Sequence, residues 1–155
     1  MTYIGIDPGL AGGIGVIRSG SDIVVMKYSP ENLIELLKQF ADDSQVQFFV
    51  EHVHAMPKQG VSSTFKFGMG FGQILGILQA FDRKYVLIKP EVWKRAIGVT
   101  ADKKTSIRKA QDLFPHVSLL PTPRCRVPSD GLAEALLIAE YGRRSAFVNI
   151  NHNKS

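Results

Sequence analysis

The stretch Thr2-Tyr3-Ile4-Gly5-Ile6-Asp7-Pro8-Gly9-Leu10-Ala11-Gly12-Gly13-Ile14-Gly15-Val16-Ile17 decides the fold. Residues 2–8 alternate, are rich in β-formers, and stop at Pro8-Gly9. That pattern is a strand running into a turn. Gly12 to Ile17 reads as a second strand and Ile23 to Tyr28 as a third. Only short turns separate them, so the three form an antiparallel meander. Asp7 stands near the end of the first strand, where an acid interrupts an otherwise apolar pattern.

Outward from the meander, the chain changes period. Ser29-Pro30-Glu31 opens a helix, with Ser as the cap and Pro in the first turn. Leu33, Leu36, Leu37 and Phe40 follow at helical spacing. Val46 to Val50 is a continuous apolar run, the mark of a strand covered on both faces, and it ends at Glu51. Ser62-Ser63-Thr64 offers a cap for a helix to about Phe81. Tyr85 to Ile88 reads as a short strand, Glu91 to Ile97 and Asp102 to Phe114 as helices. Leu119 to Pro128 holds three prolines and reads as a loop; Ser129 then caps a last helix from Asp130 to about Tyr141. The order β-β-β-α-β-α-β-α-α-α implies a mixed α/β sheet of five strands, three in the meander and two parallel, flanked by helices. We expect one domain over residues 1–148 and a polar tail over 149–155.

Composition narrows the function. The chain has 155 residues, 45% of them apolar, enough for one ordinary domain. Its single cysteine, Cys125, permits no internal disulfide, and no apolar run approaches a membrane span. A cytoplasmic protein is expected. The net charge is +5, and the excess is concentrated. From Arg83 to Lys109 nine basic residues face two acids, a net of +7. Such a stretch attracts a polyanion, or else forms a solvated basic face.

Four acids sit in non-random places: Asp7 and Glu51 at strand ends, Asp130 and Glu134 at the start of the last helix. The last two are four apart and share a helical face, otherwise apolar. Each alone has a structural reading. Asp7 can cap the turn, Asp130 can complement the helix dipole, and Glu134 can face solvent. Together, converging acids repel unless a cation sits among them. Oxygen-only ligands suit Mg²⁺ or Mn²⁺, and two such ions promote phosphodiester hydrolysis. Gly68, Gly72 and Gly76 form a smooth helical stripe for close packing on the sheet or on a partner helix. His52 and His54 follow Glu51 and read as surface residues or as contacts to DNA or metal.

Three segments, IGIDPGLAGGIGV (4–16), VEHVHAMP (50–57) and DGLAEALLIAEYGRR (130–144), resemble the RuvC-type Holliday-junction resolvases, above all the small versions of phages and prophages. The resemblance covers nearly the whole chain, in order. It implies an RNase H-like fold and a metal-dependent endonuclease that cuts four-way junctions or other branched DNA by paired nicks. It also implies a homodimer and two Mg²⁺ ions, with Mn²⁺ as a substitute. The family's four catalytic, metal-binding acids match Asp7, Glu51 and Glu134, with Asp130 as the fourth. In the bacterial resolvases the fourth acid lies three residues before the Glu134 position, where this chain has Gly131; Asp130 is one step further back. The family's junction-wedging aromatic matches His54. Its phosphate-gripping bases match Lys94 and Lys104, with Lys58, Lys103 and Arg108 as neighbours. Two other functions stay open: a YqgF-like RNA-processing nuclease, which characteristically lacks a glutamate like Glu51, and a non-catalytic nucleic-acid-binding protein. The glycine-striped helix is the candidate dimer contact.

Overall fold

The computed structural model describes residues 1–19, 21–55, 58 and 60–152. In chain order the elements are β1 (Thr2–Ile6), β2 (Gly13–Ile17), β3 (Ile23–Lys27), α1 (Pro30–Gln39), β4 (Val46–Glu51), α2 (Val61–Ala80), β5 (Tyr85–Ile88), α3 (Pro90–Ile97), α4 (Lys103–Leu113) and α5 (Asp130–His152). They form one five-stranded sheet in the order β3-β2-β1-β4-β5. The meander pairs antiparallel, while β1–β4 and β4–β5 pair parallel. This is the mixed sheet the sequence pattern predicts.

Period-two alternation splits the core into two layers. Ile4, Ile6, Ile14, Val16, Phe48 and Val50 face α1 and α2, meeting Leu33, Leu36, Leu37, Ile74 and Leu78. Tyr3, Ile17, Phe49 and Ile88 face the other way, toward Trp93, Ile97 and Ala110 of α3 and α4 and Leu136 and Leu137 of α5. Every residue of α5 from Gly131 to Glu140 is buried, because the sheet lies under it and α3 and α4 lie against it.

Helix α5 sits unusually close to the sheet, and glycines make that possible. A Cβ at Gly5 would stand 2.2 Å from the carbonyl oxygen of Ala135, and one at Gly15 would stand 2.6 Å from the Cα of Leu136. These two glycines are paired neighbours on β1 and β2. Together they form a side-chain-free strip on which the helix backbone rests.

Local chemistry sets most boundaries. The Ser29 hydroxyl accepts the Asn32 N–H at 3.1 Å to start α1, and the Asp102 carboxylate accepts the Lys104 N–H at 3.0 Å to start α4. The Ser129 hydroxyl accepts from Leu132 at the start of α5. Four readings differ. Helix α2 begins at Val61 behind Gly60, with no side-chain cap, so Ser62-Ser63-Thr64 lie inside its first turn. Helix α5 does not stop near Tyr141 but continues to His152, and so takes in the first residues of the expected tail; 153–155 lie outside the described residues. The glycine stripe of α2 does not pack on the sheet, since a Cβ at Gly68, Gly72 or Gly76 would meet nothing within 4 Å. Arg83 leaves the basic face: its guanidinium donates to the carbonyls of Phe40, Ala41 and Asp43 and closes the end of α1.

The same substitution should therefore have opposite effects at two glycines. Gly5→Ala forces a methyl into the α5 backbone and should destabilise by roughly 3 kcal/mol or more, the upper range for overpacking. Gly70→Ala, in the interior of α2 with nothing within 4 Å, should stabilise by up to about 1 kcal/mol. Denaturant midpoints of the two variants check both signs; a tolerated Gly5→Ala would refute the close seating of α5.

Candidate active site

Two acids meet because of strand register. The parallel pair β1–β4 matches Ile6 with Val50, so Asp7 and Glu51 are neighbours one step further on. Alternation turns both toward the α5 layer, as it does Tyr3 and Phe49. Asp7 is buried, 8% exposed, and its Oδ1 accepts the Gly9 N–H at 3.0 Å. It thus does cap its turn, and still stands among other acids.

Helix α5 brings Asp130 and Glu134 to the same end of the sheet. Gly131 lies between the strands and the helix start: a Cβ there would stand 1.9 Å from the Ala11 carbonyl oxygen. No side chain fits at that position while α5 keeps its seat. An acid serving this site from the first turn of the helix must stand elsewhere, and Asp130 is the adjacent residue. Glu134 is buried, not solvent-facing.

Neighbouring helices hold the acids. The Lys94 ammonium of α3 lies 3.0 Å from Glu134 Oε1, and the Ser106 hydroxyl of α4 donates to the same oxygen at 3.2 Å. Lys103 of α4 pairs with Asp130. The indole N–H of Trp93 donates to Glu51 Oε2 at 2.7 Å. Burial pushes the Asp7 carboxyl up to about 7; the Gly9 N–H opposes this, and the charges of Glu51, Glu134 and Asp130 add to it. Burial also raises Glu51, against the Trp93 hydrogen bond, with Glu134 adding repulsion. The bond to Asp130 raises Lys103.

All four donors are carboxylates, a set suited to a hard divalent cation. Asp7, buried with its charge disfavoured by three other acids, marks a place short of positive charge. Among the described residues no three acid, histidine or cysteine side chains close into a ready cage. Glu134 and Asp130 are instead turned to the two lysines.

The expected basic residues divide into two groups. Lys94 and Lys103 reach the acids. Lys104 and Arg108, one turn apart on α4, are exposed on its outer side. His54 and Lys58 are exposed in the connection from β4 to α2, and the ring of His52 lies 6.1 Å from that of Phe71. Trp93 and Ser106 escape a reading of the sequence. An indole at helical spacing reads as core, and only the packing of α3 against the end of β4 reveals its polar edge. No helix among the described residues is long and apolar enough to cross a membrane.

No protein-family model and no curated protein matches the chain. Solved structures similar to it include two of RuvC. Thermus thermophilus RuvC in complex with a Holliday junction substrate superposes with a TM-score of 0.61 at 18% identity, over 96% of each chain. A second Thermus thermophilus RuvC structure gives 0.60 at 18% identity, covering 94% of this chain and 97% of that one. At this identity the likeness establishes the fold, which is RNase H-like.

The raised Asp7 has a measurable consequence in metal-free protein. A carboxyl whose folded pKa lies above its unfolded value stabilises fully below the unfolded value, and that stability is lost as pH rises through the folded value. For Asp7 the window runs from 3.8 to about 7. Asp7→Asn keeps an acceptor for Gly9 and cannot ionise. In EDTA it should melt above wild type at pH 8, by about 4 kcal/mol at most, and match it near pH 4. Equal stability at both pH values would show that Asp7 is not buried among acids.

Proposed function

We propose that this protein is a metal-dependent endonuclease of the RuvC type, acting in the cytoplasm on four-way junctions and other branched DNA. The observation that carries the reading is the gathering of Asp7, Glu51, Asp130 and Glu134 at one end of an RNase H-like sheet. A likeness over 96% of both chains to a RuvC structure that contains a Holliday junction substrate supports it.

In this reading the four carboxylates hold two divalent ions, Mg²⁺ or Mn²⁺. When bound, such ions activate water and neutralise the leaving oxygen in phosphodiester hydrolysis. The chain's own residues do the rest. Gly9 and Trp93 fix the Asp7 and Glu51 carboxylates by hydrogen bonds. Lys94 and Lys103 balance the acids and stand ready for a phosphate that enters between them. Lys104, Arg108 and Lys58 attract the backbone from outside, and His54 is the candidate to stack at the junction.

A homodimer completes the proposal, because a four-way junction has two-fold symmetry. The candidate contact is the outer face of α2. Val61, Phe65 and Met69 are 89%, 69% and 62% exposed there, in line with Gly68, Gly72 and Gly76. No residue of α2 before Ile74 is buried, so the first turns of this apolar helix stand clear of their own sheet. Exposed apolar stripes of this kind mark interfaces.

Labelled four-way junctions and structured RNA, each with Mg²⁺ or EDTA, test the function. Junction nicking with Mg²⁺ alone is expected; cleavage of RNA only would favour an RNA-processing nuclease. Asp7→Asn and Glu51→Gln should abolish cleavage and leave junction binding intact, since neutralising an acid beside a phosphate does not weaken attraction. Asp130→Asn should do likewise; normal cutting would reduce Asp130 to a helix-start acid. Lys104→Ala should lower the salt slope of binding by about one unit or less. Met69→Glu should convert a dimer to a monomer in sedimentation, and an unchanged dimer would place the contact elsewhere.

A further inference from the structure

We infer that Trp93 is the positioning residue of Glu51: its indole N–H fixes Oε2 and presents the rest of the carboxylate to a cation. The inference rests on the metal-dependent reading above. Trp93 is fully buried, at 0% exposure, in the cluster that contains Ile88, Ile97, Val99 and Ala110. Its ring cannot swing, so its single donor points in one direction. That donor meets Glu51 Oε2 at 2.7 Å, while Oε1 receives no hydrogen bond from any described residue.

The chemistry of the indole makes this more than packing. A buried N–H without an acceptor carries a desolvation cost, so an apolar filler would serve a core position better. Indole donates and cannot accept, so it pairs with a carboxylate oxygen and leaves the group's remaining acceptor capacity free. The next residue extends the arrangement. Lys94 lies 5.2 Å from the Trp93 ring centre and 3.0 Å from Glu134 Oε1. One turn of α3 thus holds two acids from two different elements. Partners of this kind, which orient a ligand without touching the ion, are typically worth 10–100-fold in metal affinity or activity.

Trp93 is the only tryptophan in the chain, so ¹⁵N-labelled protein gives one indole N–H signal. That signal should move strongly in Glu51→Ala, and should shift saturably when Mg²⁺ alone is titrated into wild type without DNA. Trp93→Phe keeps most of the buried ring and removes the donor. It should fold, bind junction DNA normally, and need roughly 10–100-fold more Mg²⁺ for half-saturation, read from backbone amide shifts. If Trp93→Phe does not fold, benzothienylalanine at position 93 gives the same shape without the N–H and the same expected loss. An indole signal indifferent to Glu51→Ala, or a folded variant with wild-type Mg²⁺ affinity, would overturn the inference. The functional reading fails separately: wild type that binds Mg²⁺ at these acids but cuts no junction leaves the positioning role standing, while wild type that binds no Mg²⁺ refutes both.

Discussion

The close seating of α5 on the first two strands is the constraint on which the rest depends. Gly5 and Gly15 let the helix backbone rest directly on the sheet, at distances no side chain would allow. That contact fixes the height and direction of the helix, and its first turn comes to lie beside Asp7. Gly131 extends the same contact to the turn after β1, against Ala11 and Gly12. The fold and the candidate site therefore share one cause. Any bulk introduced under the helix shifts the acids as well as the core.

Bringing four carboxylates together opposes folding, and the structure answers in three ways. Backbone and indole N–H groups satisfy Asp7 and Glu51. Two lysines, placed by α3 and α4, neutralise Glu134 and Asp130. What remains is carried by Asp7, which burial and like charge hold near neutral pH rather than in the usual carboxylate range. Gathering these acids costs stability, since apolar residues would fill the same space at lower cost. The far end of α5 shows the contrast. There Glu140 is also buried, which alone would raise its carboxyl, but hydrogen bonds from Arg143 and Arg144 hold it below the usual range. That acid is paired outright by two arginines.

The basic stretch divides along the same lines. Counted in sequence it is one patch, but its members do three different jobs. Arg83 closes the end of α1. Lys94 and Lys103 serve the acids. Lys104 and Arg108 stay outside, where a polyanion would first meet them. Lysines held against the acids are thus separated from basic residues left on the surface.

Much of this was legible in the sequence. Alternation, turn glycines and caps at Ser29 and Ser129 determine the strands and several helix starts, because these are local effects. Asp7 and Glu51 stand out because they close apolar strands, and Asp130 and Glu134 because they sit four apart at the start of an otherwise apolar helix. Other features had no local signal. The start of α2 departs from its local pattern because a serine-threonine run resembles a cap wherever it lies, and only the path of the chain decides whether it is used. The glycine stripe of α2 and the glycines under α5 look alike in sequence. One set faces open space and the other is pressed against a helix backbone, a distinction made by which surfaces meet. The bond from Trp93 to Glu51 joins residues 42 positions apart. Residue type and local pattern mark which side chains can do chemistry; packing settles which of them touch, because parallel register and the seat of α5 set distances that no periodicity encodes.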